Sequence, residues 1–182
     1  MKFIQLHTDR WKPVVGEDGP MPHPDPAADR LLTLDQWHAV REHWPARFPV
    51  ALSVPNEFDI ETLAGDLARV AVVALRFPKW TDGRAYTQAH LLRTRLSFNG
   101  EVRATGEVLV DMVPLLARTG FDAAQLRADQ KIESAERALS FFNGHYQGDA
   151  ADPLPLFGKP PGTAEALARA QREDFLNAGA AI

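Results

Sequence analysis

The chain has 182 residues, of which 45% are hydrophobic and 24% charged, and its formal net charge is −4. This acidic balance, without any run rich in Lys and Arg, argues against nucleic acid as a partner. Because there is no cysteine, disulfides, thiolate nucleophiles and cysteine-held zinc or iron–sulfur centres are excluded from this chain. No stretch has the roughly 18 consecutive apolar residues of a membrane span, and the start has no signal-peptide core. We therefore expect one main cytoplasmic domain with no membrane partner.

The two ends of the chain are predicted to lie outside this domain. Residues 1–15 alternate loosely in hydropathy and predict a short β-hairpin, and residues 16–28 hold four prolines and two glycines, which is typical of a loop. We expect a βα-repeat domain over residues 29–146. Residues 147–182 are predicted to form a second loop and a C-terminal helix that begins at Thr163.

Between these ends, short apolar runs alternate with polar clusters and with helical spacing. Thr33 and Gln36 form a capping-box pattern at the start of the first predicted helix. The predicted strands are 48–54, 70–77, 101–105 and 121–126. The predicted helices are 34–43, 59–68 (capped by Asp59), 83–96 (capped by Asp82), a segment from near Asp111 to a glycine cap at Gly120, and 129–144 (capped by Asp129). A repeating βα order of this kind predicts a parallel sheet with about five βα units.

The two faces of the predicted strands differ in character. Side chains alternate along a strand, so Val73, Leu75 and Phe77 share one face, whereas Arg76 points to the other with Arg103. A doubly wound sheet has helices on both faces, and both should then be apolar. One apolar and one charged face fit better a partial (β/α) barrel with a polar interior, although an open doubly wound sheet is the alternative. The partial barrel could be completed by the N-terminal strands or by a second copy of the chain in a homodimer.

Charged residues follow the predicted strands at the carboxyl ends, where parallel α/β folds bind ligands. Guanidinium groups and helix N-termini favour oxyanions, so these positions predict a small anion site. The candidate ligand-binding residues are Lys79, Thr81, Asp82, Arg84, Arg103, Thr105, Arg127 and Asp129. Glu107 and Asp111 are the candidates for an acid or base.

A structural interpretation stands beside the functional one. Asp82, Asp111 and Asp129 are suited to capping helices, with the arginines as their ion-pair partners. For Arg103 and Arg127 the two interpretations are evenly balanced, because a buried charge needs a partner. The sequence has no dinucleotide fingerprint, phosphate-binding loop, zinc-protease motif or serine nucleophile elbow, so it predicts no metal and leaves any cofactor unknown.

Three motifs resemble a known bacterial family, domain of unknown function 934. They are Phe-Pro-Lys-Trp-Thr-Asp-Gly-Arg (Phe77–Arg84), Gly-Glu-Val-Arg-Ala-Thr-Gly-Glu-Val (Gly100–Val108) and Gly-Phe-Asp (Gly120–Asp122). Members of this family are described as oxidoreductases of sulfite reduction. That description rests on the proximity of their genes to those of sulfite reductase. The resemblance therefore implies a pathway, sulfur assimilation, more directly than it implies a reaction.

Three functions follow as hypotheses. The first is an accessory protein or oxidoreductase of assimilatory sulfite reduction that binds a small oxyanion at the strand ends, with any redox cofactor borrowed from a partner or bound in an unfamiliar way. The second is a subunit without catalytic activity that docks on sulfite reductase components. The third is a non-redox barrel enzyme that uses Glu107 or Asp111 as a base.

Overall fold

A seven-stranded parallel sheet curled into a half-barrel is the framework of the molecule. The structure is a computed structural model that describes residues 1–17, 19–141, 145–150, 152–163, 166, 168 and 169. The strands are β1 (Lys2–Phe3), β2 (Lys12–Pro13), β3 (Val15–Gly16), β4 (Gly19–Pro20), β5 (Arg30–Thr33), β6 (Val50–Val54), β7 (Val70–Phe77), β8 (Glu101–Gly106) and β9 (Ala123–Ala124). The α-helices are α1 (Leu34–Val40), α2 (Arg84–Thr94), α3 (Val113–Thr119) and α4 (Ile132–Leu139).

The strand order confirms the partial barrel and disfavours the doubly wound alternative. Across the sheet the order is β1-β9-β8-β7-β6-β5-β2, and every neighbouring pair is parallel. Strands β5 to β9 therefore follow one another in chain order, with helical segments between them. A doubly wound sheet would instead reverse its order at a switch point.

The N-terminal segment corrects the predicted hairpin. Strand β1 pairs with β9 at one edge of the sheet and β2 pairs with β5 at the opposite edge, so the two do not pair with each other. The antiparallel pair among the described residues is β3 with β4. Residues 4–11, which we call the strap, connect the two edges. The sequence missed this path because each strand has only two residues and its partner is distant in the chain.

The length of the strap shows why the sheet has to curl. Six strand spacings of about 4.8 Å separate β1 from β2, or roughly 29 Å across a flat sheet. The nine steps from Phe3 to Lys12 reach at most about 30 Å when fully extended. The strap is not fully extended, because the Thr8 amide donates to the Gln5 carbonyl in a turn. The two edges are therefore closer together than in a flat sheet.

The convex face of the sheet carries the main core. Leu52, Val73, Leu75, Val102 and Ala104 are completely buried there, as the predicted apolar face requires. Burying a side chain of this size stabilises the fold by about 1.5–3 kcal/mol. The predicted capping box of α1 is present, with Thr33 and Gln36 satisfying each other's backbone amides.

Several predicted element boundaries were wrong, and the reasons are local. The helix predicted over residues 59–68 is two 3₁₀ turns, Ile60–Leu63 and Leu67–Arg69, although Asp59 caps the first as expected. Gly65 lies between the turns, where its low helix propensity favours a break. The strand predicted over 121–126 is the two-residue β9.

Two predicted helix caps were also wrong. The N-cap of α2 is Gly83, not Asp82, and the N-cap of α4 is Lys131, not Asp129. Both aspartates are bound by the side chain of an arginine two residues away, although Asp82 also accepts the Arg84 backbone amide at 3.3 Å. The segment after Leu109 begins as a 3₁₀ turn, Val110–Met112, continues as α3, and ends at Gly120 as predicted. Most of the helix predicted from Thr163 lies outside the described residues, and the domain boundaries stay a prediction.

Candidate functional site

The concave face of the half-barrel is arranged in levels that follow the strand register. The level nearest the amino ends pairs Ala51 with Val72 and Val72 with Glu101. The next level contains Ser53, Ala74, Arg103 and Ala123. The level nearest the carboxyl ends pairs Arg76 with Thr105. Gln125 continues this level on the far side of β8, where its backbone N–H donates to the Ala104 carbonyl.

The strap covers the two levels nearest the amino ends. Trp11, which is 9% exposed, packs against Ala51 and Val72 and forms a second, small hydrophobic cluster with them. Leu31 and Ala71 pack against the same cluster. Trp11 therefore supplies the apolar cover that helices give to the convex face.

Beside Trp11, the strap places a carboxylate against Arg103. The Arg103 Nη1 donates to Asp9 Oδ2 at 2.6 Å, and its Nε donates to Glu101 Oε1 at 2.8 Å. The Arg103 side chain is only 5% exposed, and that of Asp9 is 9% exposed. Asp9 is fixed in turn, because its other oxygen accepts the Trp11 backbone amide. This geometry favours the structural interpretation of Arg103, which has a carboxylate partner on each side.

The carboxyl level of the concave face is open. Arg76 is exposed, and its side chain has no hydrogen bond or ion pair with any residue of the described ranges. On the adjacent strand the Thr105 hydroxyl donates to the Leu75 carbonyl at 3.2 Å, so it presents an acceptor rather than a donor. The half-buried Gln125 side chain is likewise unbonded within the part of the chain that the structure describes. We call Arg76, Thr105 and Gln125 the open row.

The loop after β7 adds a second unpaired cation at this end. Lys79, Trp80 and Thr81 are all exposed, and Trp80 keeps 57% of its surface accessible. The Lys79 side chain makes no ion pair with the described residues. Arg76 and Lys79 are therefore two cations at the carboxyl end that form no direct ion pair with any described residue.

Asp82 and Arg84 form a closed pair on the same loop. Arg84 donates through Nε and Nη2 to the two Asp82 oxygens, at 3.0 and 2.7 Å. These hydrogen bonds, with a smaller contribution from the Asn56 amide, hold the pKa of Asp82 far below its usual range, and Asp82 raises the pKa of Arg84. Asn56 is 4% exposed, yet neither of its polar side-chain atoms makes a hydrogen bond of normal geometry within the described ranges.

Arg127 lies at the carboxyl end of β9 between two carboxylates. It donates to both Asp129 oxygens, at 2.6 and 2.7 Å, and to Glu107 Oε2 at 2.9 Å. Hydrogen bonds from Arg127 lower the pKa of Asp129 to about 2, and Asp129 and then Glu107 raise the pKa of Arg127. The group carries a net charge of −1. Asp111, the other candidate acid or base, is exposed and has no ion-pair partner among the described residues.

A pocket of about 420 Å³ opens next to the open row, at the ends of β1, β8 and β9. Its apolar walls are half-buried or exposed side chains from the strap, from the end of β9 and from α4. Its lining consists of Phe3, Ile4, Gln5, Leu6, Gly106, Gln125, Leu126, Arg127, Ala128, Gln130 and Ile132.

The structure thus divides the predicted site residues into three groups. Lys79, Thr81 and Thr105 lie at the open carboxyl end. Asp82 with Arg84, and Arg127 with Asp129 and Glu107, are ion-paired at the same end, whereas Arg103 is buried beneath the strap. Ligand binding by these residues stays a prediction.

Sequence reasoning missed three residues that shape this region. Neither Arg76, which was placed on the charged face, nor Gln125 was chosen as a ligand residue, although their positions in the alternation put them level with Thr105. Asp9 carries no local signal, because its partner Arg103 is 94 residues away.

Several motif residues have structural roles. Gly106 has a φ of 91°, and a Cβ there would lie 2.4 Å from the Phe77 carbonyl oxygen. Gly120 has a φ of 103°, and a Cβ there would meet the Arg93 side chain at 2.5 Å. Asp122 accepts the Val102 amide at 2.8 Å and pairs with Arg93, which ties β8 to α2. The strained φ and close approach require glycine at both positions.

Comparison with known protein families gives one match. The model of the family described as bacterial protein of unknown function (DUF934) matches residues 51–157, which is more than half of the chain. The chain belongs to this family. The matched region of this DUF934 protein begins within β6 and includes β7, β8, β9 and the charged loops that follow them. No curated protein matches the chain.

Within the described ranges, no three His, Asp or Glu side chains gather closely enough to hold a metal ion. No helix in the same part of the chain is long and apolar enough to cross a membrane.

Proposed function

We propose that this DUF934 protein is a cytoplasmic accessory protein of sulfite reduction that binds a small oxyanion at the carboxyl end of its half-barrel. The observation that carries the proposal is Arg76, an exposed guanidinium on the concave face that has no hydrogen-bond or ion-pair partner among the described residues. It stands at the edge of the sheet where parallel α/β proteins bind their ligands. The sulfur pathway comes from the resemblance of the three motifs.

The other arginines at this site are poor anchors for an anion. Arg84 and Arg103 each already donate to carboxylates, and the Arg127 group carries a net negative charge. An incoming oxyanion would have to displace a carboxylate from any of the three. Arg76 and Lys79 have no such competitor among the described residues, so they provide the attraction, and the Gln125 amide can donate a further hydrogen bond.

The proposal is one of binding and does not include a chemical step. Glu107, the better placed of the two candidate bases, accepts a hydrogen bond from Arg127 and is committed to that ion pair. Asp111 lies in the turn before α3 and outside the open row. Any redox chemistry would be supplied by a partner that the accessory protein serves.

A thermal-shift titration with sulfite at constant ionic strength tests the proposal. A ligand that binds only the folded state raises its stability by about 2.7 kcal/mol at a hundredfold excess over Kd. We expect the melting temperature to rise with sulfite concentration. Arg76→Gln should weaken sulfite binding by about 10- to 100-fold, which corresponds to the free energy of a hydrogen bond to a charged group.

The matched control is Arg137→Gln. Arg137 is also exposed and unpaired within the described ranges, but it lies in the last turn of α4, toward the amino end of the sheet. This variant should bind sulfite like the unchanged protein. Equal behaviour of the two variants, or no response to sulfite, would contradict the proposal.

A docking subunit is the second candidate, and Trp80 is the observation that favours it. A tryptophan with 57% of its surface exposed, beside the unpaired Lys79, has the character of an interface anchor. On this hypothesis the protein binds a sulfite reductase component without any added ligand. Trp80→Ala should then abolish that complex in gel filtration, while Arg76→Gln leaves it intact.

A further inference from the structure

We infer that the anion bound at the open row is the head group of an organic molecule, a sulfonate or phosphate ester with an uncharged apolar body. This inference rests on the proposed function and extends it to the class of ligand. It comes from the pocket at the ends of β1, β8 and β9, which at about 420 Å³ is far larger than a single oxyanion needs. Sites for small organic ligands occupy about 300–1,000 Å³.

The pocket and the open row form one continuous surface. Gln125 belongs to both, and Gly106, which lines the pocket, directly follows Thr105 of the row. Neighbouring strands are about 4.8 Å apart, so Arg76 on β7 and Gln125, directly after β9, are separated by roughly 10 Å. An oxyanion between these two residues is within reach of the Arg76 guanidinium and the Gln125 side-chain amide, and anything attached to it can extend into the pocket.

The walls of the pocket select an apolar body. Ile4, Leu6, Leu126 and Ile132 line it, and none of them is fully buried. Leu6 keeps 71% of its surface exposed. A hydrocarbon or aromatic group in the pocket would remove this apolar surface from water, which is favourable.

The charges beside the pocket select a body without a second negative charge. Arg127 lines the pocket, but Glu107 and Asp129 both accept hydrogen bonds from it, so the group as a whole is negative. A carboxylate at the far end of the ligand would be repelled there. The positive end of the site, at Arg76 and Lys79, and the negative end, at Arg127, therefore fix the direction in which a ligand with one anionic head group lies.

The experiment compares three sulfonates by isothermal titration: methanesulfonate, benzenesulfonate and 4-sulfobenzoate. We expect benzenesulfonate to bind at least tenfold more tightly than methanesulfonate, and 4-sulfobenzoate to lose most of that advantage. Arg76→Gln should weaken the binding of all three, because they share the head group.

A variant that fills the pocket separates this inference from the proposed function. Ala128 is exposed and lines the pocket, so Ala128→Trp should abolish the advantage of benzenesulfonate and leave sulfite binding unchanged. Ala39→Trp, at an exposed position of α1, is the control and should change neither. If sulfite binds through Arg76 but benzenesulfonate binds no better than methanesulfonate, the inference is overturned and the proposed function stands. If no anion binds at all, both are overturned.

Discussion

Arg103 and Arg76 lie on the same face of the sheet, on adjacent strands and one level apart, yet their surroundings are opposite. Arg103 is 4% exposed and donates to Asp9 and Glu101, whereas Arg76 is exposed and unpaired within the described part of the chain. The difference arises from the strap, which covers the level of Arg103 but leaves Arg76 exposed. Strand position alone does not determine whether a charge on this face is structural or available to a ligand.

The comparison also explains how half a barrel forms a stable fold. A closed barrel fills its interior with layers of side chains from all its strands. Here Trp11 and Asp9 of the strap take the place of the missing strands and cover the layers toward the amino ends, whereas Ile4 and Leu6 of the strap line the pocket at the carboxyl end. The carboxyl layer keeps the open, polar character of a ligand site.

The largest expected effect is the loss of folding stability when Arg103, beneath the strap, is replaced. Arg103→Met should destabilise the protein by about 3 kcal/mol, because it leaves the Asp9 carboxylate, whose side chain is only 9% exposed, without its counter-charge. Arg76→Met, the same change at the open end, should stay within about 0.5 kcal/mol, as is usual at exposed positions. Urea denaturation of the two variants gives both values.

The double variant Asp9→Asn with Arg103→Met sharpens this test. If the carboxylate left behind causes the loss, the double variant should be less destabilised than the sum of the two single changes. Equal losses of folding stability for Arg76→Met and Arg103→Met would contradict the difference between the two arginines.

A smaller effect is expected on the pKa of Asp129, which is paired with Arg127. The pKa of Asp129 is lowered from 3.8 to about 2, chiefly by hydrogen bonds from Arg127. A lowered carboxyl pKa contributes stability above pH 4 that is lost as the pH falls toward 2. Arg127→Gln should return the pKa of Asp129 toward 3.8, whereas Arg76→Gln should leave it near 2. Carboxyl ¹³C titration by NMR measures both; a pKa that moves in the Arg76 variant would show that the two groups are coupled.

Much of the fold could be predicted because its signals are local. The central strand Val70–Phe77, the capping box at Thr33 and the difference between the two sheet faces all follow from patterns a few residues long. The path of the strap could not be predicted in this way. The contacts of Asp9 and Trp11 depend on residues 40 to 94 positions away, and two-residue strands carry no periodicity.

The sequence placed the candidate site at the carboxyl ends of the strands, and the open row and the pocket lie at that end. Ligand binding there stays a prediction. Aspartates two residues from an arginine, Asp82 and Asp129, were interpreted as helix caps. A guanidinium that reaches back to the same carboxylate competes with the backbone amides, and in both cases the side-chain pair is formed.

The central claim is that an oxyanion binds at the open row and leaves Arg103 undisturbed. The most direct measurement is a ¹H–¹⁵N NMR titration with sulfite that follows the Nε–H signals of Arg76 and Arg103 and the side-chain amide of Gln125. We predict saturable shifts at Arg76 and Gln125, with the Arg103 signal unchanged. A saturable shift at Arg103 without one at Arg76 would contradict the account.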